Sequence, residues 1–286
     1  MMSGSVARHD SRFVTLPNGL LHHYATVGDR GPKIVLLHGY ADSWRSFEPL
    51  FKVLGRDAQL FALDQRGHGH TEPGGRYAMA DLAQDAIDFI ATVAREPVHL
   101  VGHSLGAIVA QRAAERRPDL LRSLTIIGGA RSAAAHPGLA ALRVQIGDFG
   151  DAIPPDFIKA FQESTVSAPL RPSRLAAIVK ESRKLRPETW RNALEALLNE
   201  PRARKALEIR VPALSLWGVE DGVFHKGEQV ALSRAIPHLE TIHYAGLGHA
   251  PHWEAPDRVA RDIRSFALAV APGRLREINR ERPHAW

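Results

Sequence analysis

Apolar residues in this chain fall into short unbroken runs, separated by stretches with helical spacing. Residues 13–16 and 20–27 flank Pro17-Asn18-Gly19. Asn-Gly between apolar runs predicts a hairpin, because both residues tolerate positive φ. Ile34-Val35-Leu36-Leu37 is apolar throughout and bounded by Gly31-Pro32 and His38-Gly39, as expected of a strand buried on both faces of a parallel sheet. Residues 59–63, 98–101 and 123–127 read as further strands. Between them, 79–94 carries Leu82, Ala83, Ala86, Ile87, Ile90 and Val93 along one helical face. A second helix, 106–117, is stopped by Pro118. Alternating strands and helices predict right-handed crossovers and a mostly parallel, doubly wound α/β sheet.

The pattern breaks after about residue 130. Residues 155–163, 173–184 and 187–199 are helical, prolines lie at or near the starts of the first and third, and no buried strand intervenes. This stretch is expected to be a helical cap inserted into the α/β domain. Strand 213–217, helix 227–235, strand 240–244 and helix 256–270 then resume the core. The division that follows is a core of 11–130 and 211–270, a cap of 131–210, and a C-terminal extension, 271–286, without apolar periodicity.

Composition narrows the function classes. The 286 residues include no cysteine, which excludes disulfides, thiolate metal sites and cysteine nucleophiles. No apolar run approaches the ~18–20 residues of a membrane-spanning helix, and 1–13 lacks the apolar centre of a secretory signal. A cytoplasmic enzyme without a membrane partner is expected. The net charge of +6 invites a nucleic-acid reading. Between Arg171 and Arg210, however, eleven Lys/Arg and five Glu alternate with Leu and Ala at helical spacing, which describes a solvated helix face. No recognition motif accompanies the charge, so no nucleic-acid partner is expected.

The chemistry concentrates at strand ends. Gly102-His103-Ser104-Leu105-Gly106 follows strand 98–101 and opens a helix. So tight a turn holds the serine in a strained conformation above the carboxyl edge of the sheet, at a helix N-terminus. Ser104 needs a base to be nucleophilic. Of fifteen histidines, His249 in Gly246-Leu247-Gly248-His249-Ala250-Pro251 follows the last strand and can reach the same edge. His252 is its nearest rival and is otherwise expected in packing or beside Glu254. His103 is expected to point sideways. His22, His23, His99, His136, His238, His243 and His284 are read as surface or structural. Asp221, just beyond strand 213–217, is the expected partner of His249, with Glu220 as the alternative. Oxyanion donors are expected at the backbone N–H of Leu105 and of Tyr40, where Gly39 permits a sharp bend.

His38-Gly39, Asp64-Gln65-Arg66-Gly67-His68-Gly69, Gly102 to Gly106, Gly218 to Asp221 and Gly248-His249, in that order, resemble the α/β-hydrolase superfamily, whose nucleophile elbow is a known sequence pattern. The resemblance implies about eight strands and a cap after the sixth strand, with Asp64 and Arg66 as structural residues. Epoxide hydrolases and haloalkane dehalogenases of this fold carry aspartate where this chain has Ser104, which counts against both chemistries. Acyl transfer from a carboxylic ester or lactone is the expected reaction, with no cofactor and no metal, on a small-molecule substrate. C–C bond hydrolysis, amide hydrolysis and a ligand-sensing receptor of the same fold remain alternatives. Trp44, Phe157, Phe161, Trp190 and Phe224, with Phe47 and Phe149, are candidates for an apolar substrate pocket; the oligomeric state is left open.

Overall fold

The computed structural model describes residues 9–134, 136–200 and 207–270. Eight strands form one sheet: β1 Asp10–Thr15, β2 Leu21–Val27, β3 Lys33–Leu37, β4 Gln59–Leu63, β5 Val98–His103, β6 Leu121–Ile127, β7 Ala213–Gly218 and β8 Leu239–Tyr244. Their spatial order is β1-β2-β4-β3-β5-β6-β7-β8. Only β2 runs against its neighbours, and β3 to β8 are parallel. The strand edges differ slightly from the expected ones. β1 begins at Asp10 and not at residue 13, because its first residues are exposed on an edge and carry no apolar signal.

The unbroken apolar strands bury both faces. On β3, Val35 and Leu37 join one hydrophobic cluster while Ile34 and Leu36 join another. The first face is covered by α2 Met79–Phe89, α3 Leu105–Arg116 and α8 Lys226–Ala235. The second is covered by a 3₁₀ turn, Trp44–Leu50, with α1 Phe51–Leu54 and α10 Pro256–Ala269. This is the doubly wound arrangement expected. The helix expected over 79–94 is α only to Phe89; Ile90–Ala94 continues as a π-turn closed by Arg95 at φ 59°.

Among the described residues, four helices intervene between β6 and β7: α4 Pro137–Gly147, α5 Pro155–Glu163, α6 Pro172–Ser182 and α7 Pro187–Leu198. Three were legible. α4 was not, because it buries only Ile146 and so lacks an apolar stripe. The inserted helical segment packs on the core: Ile146, Ile158, Trp190 and Leu194 are continuous with the cluster on the first face of the sheet, and Ile178 joins Ala250 and Trp253 in a third cluster. The two ends of the segment meet at one side chain on α3. The Arg112 guanidinium donates to the Arg131 carbonyl where the chain leaves the core, and to the buried Glu200 carboxylate beyond α7. The expectation for residues 271–286 lies outside the described residues. Among the described residues no helix is long and apolar enough to cross a membrane.

Candidate active site

Ser104 sits between β5 and α3 at φ 51° and ψ −114°, a backbone state L-residues avoid without support. The support is backbone packed on backbone. A Cβ at Gly102 would lie 2.2 Å from the Gly106 carbonyl oxygen, and one at Gly106 would lie 2.2 Å from that of Leu37. The Ser104 N–H bonds to the Ile127 carbonyl at 3.0 Å. The turn thereby lifts the hydroxyl to the carboxyl edge, partly exposed.

His249 meets it there. Its Nε2 lies 2.9 Å from Ser104 Oγ, and its Nδ1 lies 3.0 and 3.1 Å from the two carboxylate oxygens of Asp221. His249 and Asp221 are each 3 % exposed. Asp221 Oδ1 also accepts the N–H groups of Val223 and Phe224 at 2.8 and 2.9 Å, which satisfies the carboxylate as it bridges to the imidazole. Nδ1–H donation to Asp221 leaves Nε2 free to take the serine proton. Glu220, the alternative acid, is exposed. The loops carrying Asp221 and His249 touch through a glycine: a Cβ at Gly218 would lie 2.1 Å from the Gly248 carbonyl oxygen.

The loop after β3 closes on the serine from the other side. A Cβ at Gly39 would lie 3.3 Å from Ser104 Cβ and 2.8 Å from His103 Nδ1. Neither the Tyr40 nor the Leu105 backbone N–H takes a protein acceptor among the described residues, as an anion-binding pair requires. This loop is fixed by His38, whose Nε2 accepts the Gln65 N–H at 3.0 Å while Gln65 Nε2 donates to the His38 carbonyl at 2.6 Å. Asp64 accepts from His23 Nδ1 at 2.7 Å and from the Trp44 N–H at 2.8 Å. Arg66 grips Asp85 with two bonds of 2.6 Å. Both residues brace loops, as expected.

The aromatic candidates divide. Phe157 and Phe161 keep partly exposed rings and gather with Tyr40 and Trp190 at 5.3–6.3 Å; Phe149 lies edge-on to Phe157. Trp190 is 0 % exposed and serves as the centre of that cluster, not as a pocket wall. The Tyr40 side chain is tied by its hydroxyl to the Trp190 carbonyl at 2.7 Å. Trp44 departs further from expectation. It stacks on Phe51 and tilts against His9 and His23 within the second core, and Phe47 is buried there too. Trp44 and Phe47, expected at the pocket, are therefore core residues of the 3₁₀ turn. Phe224 is 1 % exposed and lies edge-on to His249 at 5.6 Å, so it buttresses the imidazole and offers no free face.

The other histidines are mostly interior. His22, His23 and His99 are buried, not surface groups. His103 turns sideways, as expected, and donates Nε2–H to the His249 carbonyl at 3.2 Å. His252 pairs with Ser46 Oγ at 2.9 Å and packs 4.4 Å from the His103 ring. Glu254 is not its partner. That carboxylate accepts from the Gly248 N–H at 2.6 Å and from Ser167 Oγ at 2.7 Å, clamping the His249 loop to the cap. Nothing in the spacing of Glu254 to His249 announced this role, because Ser167 is far away in sequence. Burial holds His38, His103 and His252 below the usual imidazole range and pushes His68 down to about 3, so all four stay neutral donors or acceptors.

Comparison with known proteins agrees with this architecture. The sequence model of the alpha/beta hydrolase fold family matches residues 32–256. A 2-(acetamidomethylene)succinate hydrolase from Mesorhizobium japonicum is 29 % identical over 82 % of this chain and 88 % of its own. A pimeloyl-[acyl-carrier protein] methyl ester esterase from Vibrio atlanticus is 26 % identical over 85 % of this chain and 97 % of its own. The structure of an enol-lactonase from Burkholderia xenovorans superposes with a TM-score of 0.79 at 22 % identity, covering 90 % of this chain and all of that one.

Proposed function

We propose that this chain, which belongs to the α/β-hydrolase fold family, is a serine hydrolase that cleaves a carboxylic ester or lactone through an acyl-enzyme on Ser104. The observation that carries the reading is the unbroken line from Ser104 Oγ through His249 to Asp221, with steps of 2.9 and 3.0 Å. In this reading His249 Nε2 takes the hydroxyl proton as Oγ attacks the substrate carbonyl, and Asp221 stabilises the imidazolium. The Tyr40 and Leu105 N–H groups hold the tetrahedral oxyanion. His249 then protonates the leaving alcohol, and water, activated by the same imidazole, releases the acid. The helices of 131–210 act as a cap over a core of 11–130 and 211–270, and the partly exposed rings of Phe157 and Phe161 face a small acyl group.

The curated relatives support a carbonyl substrate and divide over the bond. One is named a methyl ester esterase; the other is named for a substrate bearing an acetamido group. Amide hydrolysis is therefore the second reading, since the same serine and imidazole serve either leaving group.

The test is a panel of p-nitrophenyl esters of increasing acyl length, with wild type beside Ser104→Ala. The expected result is turnover of the short esters, falling at least ~10³-fold in the variant. A folded wild type inert on every ester and lactone would overturn the ester reading, and turnover of N-acyl substrates by that protein would install the second.

A further inference from the structure

A cavity of about 390 Å³ lies away from Ser104, at the seam where α6 of the cap meets the 3₁₀ turn and the short helix α9, Pro251–Glu254. Asp42, Ser46, Glu181 and Trp253 form its buried floor; Arg45, Lys52, Arg171 and Arg174 stand around its rim. The charges do not cancel. Arg45 pairs with Glu48 at 3.1 Å and Glu181 at 3.5 Å, and Lys184 adds a contact of 2.7 Å to Glu181. Lys52, Arg171 and Arg174 make no ion pair with a carboxylate among the described residues. Arg174 has a single long bond, 3.5 Å to the Trp253 carbonyl. Its guanidinium is held below its usual range by burial and then by Arg171 beside it, against a weaker opposing pull from Glu48 and Asp257.

The floor has the complementary feature. Asp42 is 2 % exposed; its Oδ1 accepts the Ser43 N–H at 2.8 Å, and its Oδ2 has no hydrogen-bond partner. Burial pushes this carboxyl up to about 7, so near neutrality much of it carries a proton and can donate. Unpaired cations on one wall and an unsatisfied carboxyl on the other fit a molecule with an anionic group at each end. Arginine favours carboxylate oxygens in its planar fork, and the volume is near the lower end of small-molecule sites, roughly 300–1,000 Å³.

We infer that this cavity is a second binding site, selective for a small dicarboxylate, and that its occupant ties cap helix α6 to the core. One carboxylate lies between Arg171 and Arg174 with Lys52 nearby, and the other accepts a hydrogen bond from Asp42. The occupant does not touch the catalytic groups: none of Ser104, Asp221 and His249 lines the cavity, and Ser46 Oγ connects to His249 through His252 or Trp253 and then His103. Bridging α6 and the 3₁₀ turn, it lowers the frequency with which the cap opens.

The experiment uses the Ser104→Ala protein, so its outcome does not depend on the reaction proposed above. Glutarate, uncharged glutaramide and inorganic phosphate are titrated calorimetrically at constant ionic strength. Glutarate is expected to bind one-to-one, at least about tenfold more tightly than either of the others. An Arg171→Gln, Arg174→Gln double variant is expected to weaken glutarate at least about tenfold while melting like its parent without ligand. Hydrogen exchange in residues 172–182 is expected to slow when glutarate is bound. Equal binding of phosphate would show a site that reads charge alone and would overturn the dicarboxylate assignment. Glutarate binding that survives the double variant would place the ligand elsewhere and end the proposal. Unchanged exchange in α6 despite binding would remove the tie between cap and core.

Discussion

At the scale of single side chains, Ser104, His249 and Asp221 lie in one line at the carboxyl edge of the sheet, with steps of 2.9 and 3.0 Å. Ser104, His249 and Asp221 each carry a local signature: a glycine-bounded turn, or a place just beyond a strand. Glu254, Ser46 and Phe224 do their work through partners brought near only by folding; Ser46 and His252 are 206 positions apart. A bare sequence gives no means of pairing such residues. The same view sets an expectation for the acid. Asp221→Asn keeps the size of the side chain but supplies an amide where His249 needs an anionic acceptor, so the imidazole loses its preferred tautomer. Ester turnover at saturating substrate is expected to fall ~10³–10⁴-fold with KM little changed. A loss smaller than about tenfold would mean that Asp221 is not the partner that matters, and Glu220→Gln would be compared next.

Secondary-structure elements were readable where burial imposes a period. β3, β5 and β7 are buried on both faces and declared themselves as apolar runs, while α4 and the 3₁₀ turn, lacking a stripe, did not. Backbone packs closely on backbone at the glycines of the elbow, and these make a sharper test than any helix boundary. A methyl group at residue 106 would sit 2.2 Å from the Leu37 carbonyl and 2.5 Å from that of His38. Both are backbone atoms of the central strand and its loop, so neither can rotate away. Gly106→Ala is expected to cost several kcal/mol, on the order of the ~3 seen for overpacked cores. Chemical denaturation measures this directly, and a variant as stable as wild type would contradict the close approach of α3 to β3.

The molecule as a whole stores an acid sensitivity in its interior. His68 is pushed down to about 3 and His99 to about 4, chiefly by burial, from an ordinary value of 6.5. Between those values the unfolded chain binds protons that the folded one refuses, so stability falls as the pH drops through that window. Asp42 opposes this: held near 7, it keeps a proton in the folded state between about 4 and 7 and gains stability on acidification. The two histidines outweigh one carboxyl, each contributing about 3 kcal/mol by pH 4. Urea titrations from pH 7 to 4.5 are expected to show a falling midpoint, and a flat profile would refute the balance. The net charge of +6, by contrast, does not say where cations go unpaired; among the described residues Lys52, Arg171 and Arg174, at the α6 seam, make no ion pair with a carboxylate.

Arg112 gathers the Arg131 carbonyl and the Glu200 carboxylate onto one helix that starts at Ser104. Both ends of the intervening segment are therefore pinned at the same place, whatever lies between them. Closing a longer loop costs only ~0.6 kcal/mol per doubling of its length, so with its base stapled the segment tolerates added residues at little entropic cost. Such a staple sets where a grafted segment must begin and end, at positions 131 and 200, but the graft must also replace the hold of Ser167 on Glu254 and of the Trp190 carbonyl on the Tyr40 hydroxyl.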